Sequence, residues 1–221
     1  MRLIFEFILD LIFPRVCGIC GKLNSKSLCN KCKIKLEKEF KYQIDYYDED
    51  LSKNFMEHSY FFKYENLIRN QILALKFQEK PYVYKTITYF LKNMPKSFEN
   101  LKMYDIIITV PISKKRKKER GYNQSYLISK EISKIIKVPI ERRILYKIKH
   151  TVPQSSLNKA QREKNAKGVY RVKNISKIYN KKILLIDDIY TTGNTVNECA
   201  NILIQKGVKR TDIAVLTIAK D

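Results

Sequence analysis

The sequence predicts an α/β fold, a mostly parallel sheet flanked by helices, behind a small cysteine-rich module near the N-terminus. Three observations predict it. Short apolar, β-branched runs alternate with stretches of helical periodicity through the second half of the chain. One such run, "ILLIDDIYTTGNTV" from Ile183, passes straight from four apolar residues into two acids and a Thr/Gly loop. Four of the five cysteines fall within one stretch, "CGICGKLNSKSLCNKC".

Taken in order, "MRLIFEFILDLIFP" places Leu3, Phe7 and Leu11 on one face of a short amphipathic helix that ends at Pro14. It carries Glu6 and Asp10 and is shorter than the roughly 20 apolar residues of a membrane span, so no stable membrane insertion and a cytoplasmic location are expected. Residues 1–40 are assigned to this helix and the cysteine module, 41–100 to a connecting or hood segment, and 101–221 to the main domain. Within the middle segment, "NLIRNQILALKF" (66–77) and "VYKTITYFLKNM" (83–94) have helical spacing with Pro81 between them. "YDIIITV" (104–110) is a strand, followed by Pro111, a charged loop and the helix "NQSYLISKEISKII". A short "VPI" strand, a polar stretch over 147–167 and a "GVYRV" strand come next. "KKILLIDDI" reads as a buried strand, "TVNECANILIQKG" as a helix closed by Gly207, and "TDIAVLTIAK" as the last strand.

The formal charge is +22 over 221 residues. Such a surface attracts polyanions. Lysine outnumbers arginine 34 to 10, so a coding bias toward lysine competes with a functional explanation.

Cys17/Cys20 and Cys29/Cys32 form two C-x-x-C pairs, the spacing of a tetrahedral zinc site. Two residues between thiols let the backbone turn both sulfurs toward one ion, and Gly18 and Gly21 permit that turn. Disulfides or a redox dithiol are the competing assignments; the lack of a secretion signal favours zinc. Four thiolates leave no open coordination position, so the ion is structural. Cys199 reads as a buried packing residue.

Why would so basic a chain put Asp187 and Asp188 together at the end of a buried strand? In open α/β sheets, ligands bind beyond the carboxyl ends of the strands. Here the following loop, Thr191, Thr192, Gly193, Asn194 and Thr195, offers hydroxyls, a close backbone approach and the unpaired amides of a helix N-terminus. That is a cradle for one phosphate. Two carboxylates beside it suit vicinal hydroxyls, so the stretch asks for a phosphorylated ribose.

"ILLIDDIYTTGNT" resembles, at all thirteen positions, the phosphoribosyl pyrophosphate (PRPP) signature of type I phosphoribosyltransferases. "VPISKKRKKERGYNQS", "TVPQSSLNKAQREKNAKGVYRV" and "LDLIFPRVCGICG" extend the resemblance, in order and over nearly the whole chain, to the ComF family of competence proteins. That resemblance implies a zinc knuckle joined to a type I phosphoribosyltransferase-like domain, a role in natural transformation with single-stranded DNA, and a ComF-type helicase as partner. It implies that Asp187 and Asp188 hold ribose hydroxyls and that Thr191 to Thr195 hold the 5-phosphate. Ser113 and Lys114 would meet pyrophosphate with Mg²⁺. Lys114, Lys115, Arg116, Lys117, Lys118 and Arg120 are six basic residues in seven, more than pyrophosphate requires, and are assigned to a nucleic-acid backbone against the alternative of a solvated charged loop. Asn123 and Ser125 are candidate helix caps and Tyr122 a packing residue. The 149–167 stretch is assigned to a mobile hood with Arg162 as its closing, catalytic residue; a surface helix is the alternative. His58 and His150 are expected in solvent or loops. Three functions share these parts: a DNA-uptake protein that binds PRPP, an active phosphoribosyltransferase of unread acceptor, and a PRPP-sensing regulator.

Overall fold

The computed structural model describes residues 16–24, 26–78, 80, 82–148 and 168–221. Helix α1 (Asn30–Glu39) is followed by β1 (Phe40–Tyr46), β2 (Glu57–Lys63), α2 (Asn66–Phe77) and α3 (Val83–Lys92). Then come β3 (Ile106–Thr109), α4 (Lys114–Arg120), α5 (Gln124–Ile136), β4 (Leu145–Lys147) and β5 (Tyr170–Val172). The chain closes with β6 (Ile183–Tyr190), α6 (Asn194–Ile204) and β7 (Ile213–Lys220).

The main sheet has the order β1-β2-β7-β6-β3. β2, β7, β6 and β3 run parallel, and β1 closes one edge antiparallel to β2. β4 and β5 form a separate antiparallel pair. The expected α/β class therefore holds, with a mixed sheet. Side chains on a strand alternate between faces, and the two cores obey this. Leu184 and Ile186, Ala214 and Leu216, and Ile107 pack with α2, α3, α5 and the cysteine module. Ile183 and Leu185, Ile213 and Val215, and Ile106 and Ile108 pack with α6 and the β4–β5 pair. Both faces of the sheet are covered, which is why β6 and β7 read as continuous apolar runs.

Three expectations are corrected. Residues 40–63, which the expected boundaries divide between the cysteine module (1–40) and the connecting segment (41–100), supply two strands of the main sheet. β2 earns burial on both faces by lying parallel to β7, with Ser59↔Leu216 and Tyr60↔Thr217 in register. The charged loop after Pro111 is helix α4: Ser113 Oγ accepts the Arg116 amide at the N-cap, and Gly121 ends the helix at φ 80°. The "VPI" stretch makes one parallel bridge, Ile107↔Ile140, instead of a strand. The helix expected over residues 1–14 lies outside the described residues.

The cysteine module shares the core of the main domain. Cys17, Leu28, Cys32 and Leu36 are buried in the same cluster as α2, α3 and α5. Contact is closest at Gly18, where a Cβ would stand 2.0 Å from Thr86 Oγ1 and 3.0 Å from Thr86 Cβ on α3. The Thr86 hydroxyl in turn donates to the Ser27 carbonyl at 3.0 Å. Gly18→Ala is therefore expected to destabilise the protein by about 1–3 kcal/mol through overpacking, read as a lower midpoint in urea. Thr86→Ala in the same chain should recover part of the loss, because it removes the nearer of the two clashing atoms.

Candidate functional site

Asp187 and Asp188 stand at the carboxyl end of β6, 8% and 3% exposed. Two adjacent buried carboxylates must be compensated or neutralised, and the structure does both. Lys76, in the last turn of α2, places its Nζ 3.0 Å from Asp188 Oδ2. The approach is off the axis of a hydrogen bond, so Asp188 Oδ2 remains a buried acceptor with no hydrogen-bond donor among the described residues. Asp187 Oδ1 accepts from Ser125 Oγ at 2.8 Å and from the Asp188 amide at 2.9 Å. Burial, followed by repulsion from Asp188, raises the Asp187 carboxyl to about 7, against the opposing pull of Lys76 and these two hydrogen bonds.

The residues expected to cradle a phosphate, Thr191 to Thr195, follow without a break. Gly193 has φ 73° and N-caps α6, so the first amides of that helix have no intrahelical acceptor. A Cβ on Gly193 would lie 2.3 Å from the Tyr190 hydroxyl, so neither the conformation nor the packing admits a side chain there. The Thr192 hydroxyl oxygen is buried and makes no hydrogen bond among the described residues. A small pocket is lined by Ile189, Tyr190, Thr191, Gly193, Asn194, Thr195 and Val196.

Tyr190 is held from behind. Its ring stacks on His58 at 4.0 Å, and His58 stacks on Tyr60 at 5.2 Å. His58, expected in solvent or a loop, is fully buried on β2. Its Nε2 lies 2.8 Å from Thr217 Oγ1, and its Nδ1 is 3.6 Å from Asp45. Burial lowers its pKa, with Asp45 opposing. The sequence gives no sign of this, because the strand that buries it is itself hard to read.

The segment between β3 and α5 ties three elements to the acids. Val110 N–H donates to the Ile186 carbonyl at 3.0 Å, which brings the Pro111–Lys114 turn beside the end of β6. Asn123 caps α5 through the Ser125 amide and donates to the Val110 carbonyl at 3.1 Å. Tyr122 packs, and its hydroxyl donates to the Leu75 carbonyl of α2 at 2.6 Å. Ser125, expected as a cap, serves Asp187 instead. Arg120 donates to Gln124 and lies over the Phe77 ring at 5.7 Å. Burial pushes its pKa down while the charge of Asp188 opposes.

On the other side, Lys147 of β4 stands 5.4 Å over the ring of Tyr170 on β5. Burial, then the charge of Arg116, lowers its pKa, while Cys199 and Asp187 pull it back. Lys76, Ser125, Lys147 and Tyr170 are site neighbours that sequence reasoning missed. Ser113 is 4% exposed beneath the turn. Lys114, Lys115, Lys117 and Lys118 point into solvent around α4. Arg162, Lys159, Lys164 and His150 lie outside the described residues.

At the knuckle, the Sγ atoms of Cys17, Cys20, Cys29 and Cys32 all lie within 4.8 Å of one another, and Cys20 and Cys29 are 3.9 Å apart. This is a four-cysteine cluster able to hold a metal ion. Burial raises the Cys17 thiol, but the amides of Cys20, Cys29 and Ile19 outweigh it and hold the pKa at about 6. Burial, with the neighbouring sulfurs, pushes Cys32 up. Cys199 is buried in α6, as expected.

A parallel sheet with an acid pair at the carboxyl end of β6, running into a Thr/Gly loop and a helix N-terminus, defines a phosphoribosyltransferase-like domain. The phosphoribosyl transferase domain family matches residues 123–220. Competence protein F of Haemophilus influenzae is 31% identical over 147 residues, 64% of each chain. Competence protein ComFC of Bacillus subtilis is 24% identical over 215 residues, 96% of this chain and 80% of that one. The DNA utilization protein YhgH of Shigella flexneri is 30% identical over 107 residues, 48% of this chain and 46% of that one. The matched stretches thus span 64% and 46% of the lengths of the Haemophilus and Shigella proteins. With its four-cysteine cluster, the chain is homologous to the ComF-type competence proteins. Among the described residues, no helix is long and apolar enough to cross a membrane.

The raised Asp187 carboxyl has a consequence for stability. A folded-state pKa of about 7 against 3.8 for the free group means that the unfolded chain gives up its proton first, so stability falls as pH rises from about 4 to 7. Asp187→Asn keeps an acceptor for Ser125 and removes that loss. The variant should melt several degrees above the parent at pH 8 and close to it at pH 4, by differential scanning calorimetry in the absence of ligand.

Proposed function

We propose that this chain is a ComF-type protein of natural transformation that binds PRPP at the β6–α6 site and assists the handling of single-stranded DNA. One observation carries the PRPP reading. The thirteen-residue signature holds two buried polar atoms without hydrogen-bond partners among the described residues: Asp188 Oδ2, which is ion-paired to Lys76 at 3.0 Å, and the hydroxyl Thr192 Oγ1. Unsatisfied buried polar atoms are rare and call for an explanation. A ribose hydroxyl would donate to the first, and a phosphate oxygen would accept from the second.

In this reading Asp187 and Asp188 grip the ribose hydroxyls. Thr191, Thr192, Thr195 and the amides of Gly193 and Asn194 surround the 5-phosphate. The Ser113–Lys114 turn, next to Asp187 through the β3–β6 pairing, faces the pyrophosphate. Mg²⁺ bound with PRPP would offset its charge; Lys114, with Arg116 and Lys147 nearby, would add fixed positive charge where a pyrophosphate leaving group develops its own. Lys76 offsets the buried negative charge through its ion pair with Asp188. Arg162 is the proposed closing residue of the hood. The basic face of α4, from Lys114 to Arg120, is proposed to follow a nucleic-acid backbone. Isothermal titration with Mg²⁺–PRPP tests the site. Binding should strengthen from pH 6 to 8 as Asp187 ionises, and Asp187→Asn or Asp188→Asn should each weaken it roughly tenfold or more through a lost hydroxyl contact. Heat only of dilution, from a folded protein, sinks the reading. Pyrophosphate release that depends on an added base or on DNA would mark an active transferase; binding without release would mark a sensor or uptake factor.

The knuckle is proposed to hold structural zinc. Four sulfurs at 2.3 Å from a tetrahedral ion lie about 3.8 Å apart, close to the 3.9 Å between Cys20 and Cys29. Because Cys17 and Cys32 belong to the main core, losing the ion should loosen the whole fold and not the knuckle alone. Thiol-specific oxidation should release one equivalent of zinc to a metallochromic dye and lower the single melting transition; Cys29→Ser should purify with little zinc. Full stability in a metal-free protein would exclude a structural role.

A further inference from the structure

A second concave surface lies away from the β6–α6 loop. An open groove of about 640 Å³ runs between α3, α5 and the knuckle, lined by Lys85, Tyr89 and Lys92 on one side and Glu131, Lys134, Ile135 and Lys137 on the other. Four lysines face one glutamate. Among the described residues, only Lys134 of the four is drawn into an ion pair, 2.6 Å from Glu131. Three ammonium groups are left to the groove.

Helix dipoles account for part of this charge. Lys92 and Lys134 sit in last turns and Lys137 at a C-cap, where cations are favoured. Lys85 does not fit that account: it lies in the first turn of α3, where a cation opposes the dipole. Lys85, Tyr89 and Lys92, at i, i+4 and i+7, share one face of α3. Cation, aromatic ring, cation along one wall is the pattern that grips a single strand, charge on the phosphates and a ring for a base. An acidic peptide would use the lysines but has no need of the ring.

We propose that this groove is the main track for single-stranded nucleic acid. The inference rests on the reading that the chain handles such strands, and it relocates their principal contact from α4 to the α3–α5 groove. The two places are separable. α5 runs from Ser125, at Asp187, to the groove residues 131–137, about 9–18 Å along its axis at ~1.5 Å per residue. A strand in the groove therefore leaves the PRPP site open.

The test is fluorescence anisotropy of a labelled thirty-nucleotide oligothymidylate against the full chain, over a series of salt concentrations. Three proteins are compared: the parent, Lys85→Gln/Lys92→Gln/Lys137→Gln, and Lys114→Gln/Lys115→Gln/Lys117→Gln. The groove variant should lose roughly ten- to fiftyfold in affinity near 0.15 M salt, and its salt slope should fall by about 2, three single-strand phosphate contacts at ~0.7 each. The α4 variant should lose clearly less. Tyr89→Ala should weaken binding several-fold and Tyr89→Phe should restore it, a pattern that charge alone does not produce. Unchanged melting temperature and unchanged Mg²⁺–PRPP binding show that the groove variant is folded. If the α4 variant loses the affinity and the groove variant keeps it, the inference is overturned while the DNA-handling reading stands. If the parent does not bind the oligonucleotide, that reading fails first. If poly-glutamate binds the groove and the oligonucleotide does not, the groove serves an acidic protein segment and the inference is likewise overturned.

Discussion

Two carboxylates buried side by side at the end of β6 are the constraint around which the domain is arranged. Their mutual repulsion and their removal from water both oppose ionisation, so cations and donors must be brought to them from elsewhere in the chain. Lys76 arrives from α2 and Ser125 from α5. Those helices must then dock with their ends over the carboxyl edge of the sheet. The Arg120–Ser125 segment fastens them there: Tyr122 to the Leu75 carbonyl, Asn123 to the Val110 carbonyl, Ser125 to Asp187. A motif that looks like a ligand-binding loop in one dimension is, in three, largely the strap that places the acids. The cost of the arrangement shows in the raised Asp187 carboxyl, which burial and the neighbouring Asp188 hold up against Lys76 and Ser125.

The antiparallel edge of the sheet contributes to the same end. β2 puts His58 against Tyr190, and Tyr190 fills the space beneath Gly193. Thr217 and Asp45 fix the imidazole, and Lys220 bridges to Asp45 at 2.7 Å. The Thr191–Thr195 loop thus rests on a ring stack anchored in four strands, β1, β2, β6 and β7. Its geometry does not depend on the loop's own hydrogen bonds alone. Removing β1 and β2 would leave β6 and β7 paired but the loop unsupported.

How much of this was legible in one dimension follows from how local each signal is. The α2 helix, Asn66–Phe77, is readable from end to end because its apolar spacing is a property of the helix itself. β6 was readable because both its faces are covered. β1 was not: its pattern is half-exposed throughout, and the surrounding residues are acidic and aromatic without clean alternation. β2 packs its apolar residues into a run too short to separate from a loop. Lys76 could not be singled out among 34 lysines, since its role comes from where α2 docks. α4 reads as a loop because its charges carry no apolar periodicity; the cap at Ser113 and the stop at Gly121 are its readable clues. The cysteine cluster was legible in its spacing, yet nothing in that spacing says that it shares the main core.

That sharing changes what a small metal site does in this fold. An appended knuckle could unfold without consequence for the rest. Here Gly18 lies against Thr86, Thr86 holds the Ser27 carbonyl, and Ser27 lines the groove between α3 and α5. α3 packs on α5, and α5 begins at the serine that bonds Asp187. No discrete switch is visible along this route, so it is a route of support and not of signalling. Its consequence is structural: the packing of the cysteine cluster also fixes one wall of the groove between α3 and α5. A chain this rich in lysine resists compaction by self-repulsion. Fixing a lysine-lined groove from a cysteine cluster in the core, instead of from surface ion pairs, leaves Lys85, Lys92 and Lys137 without ion-pair partners among the described residues.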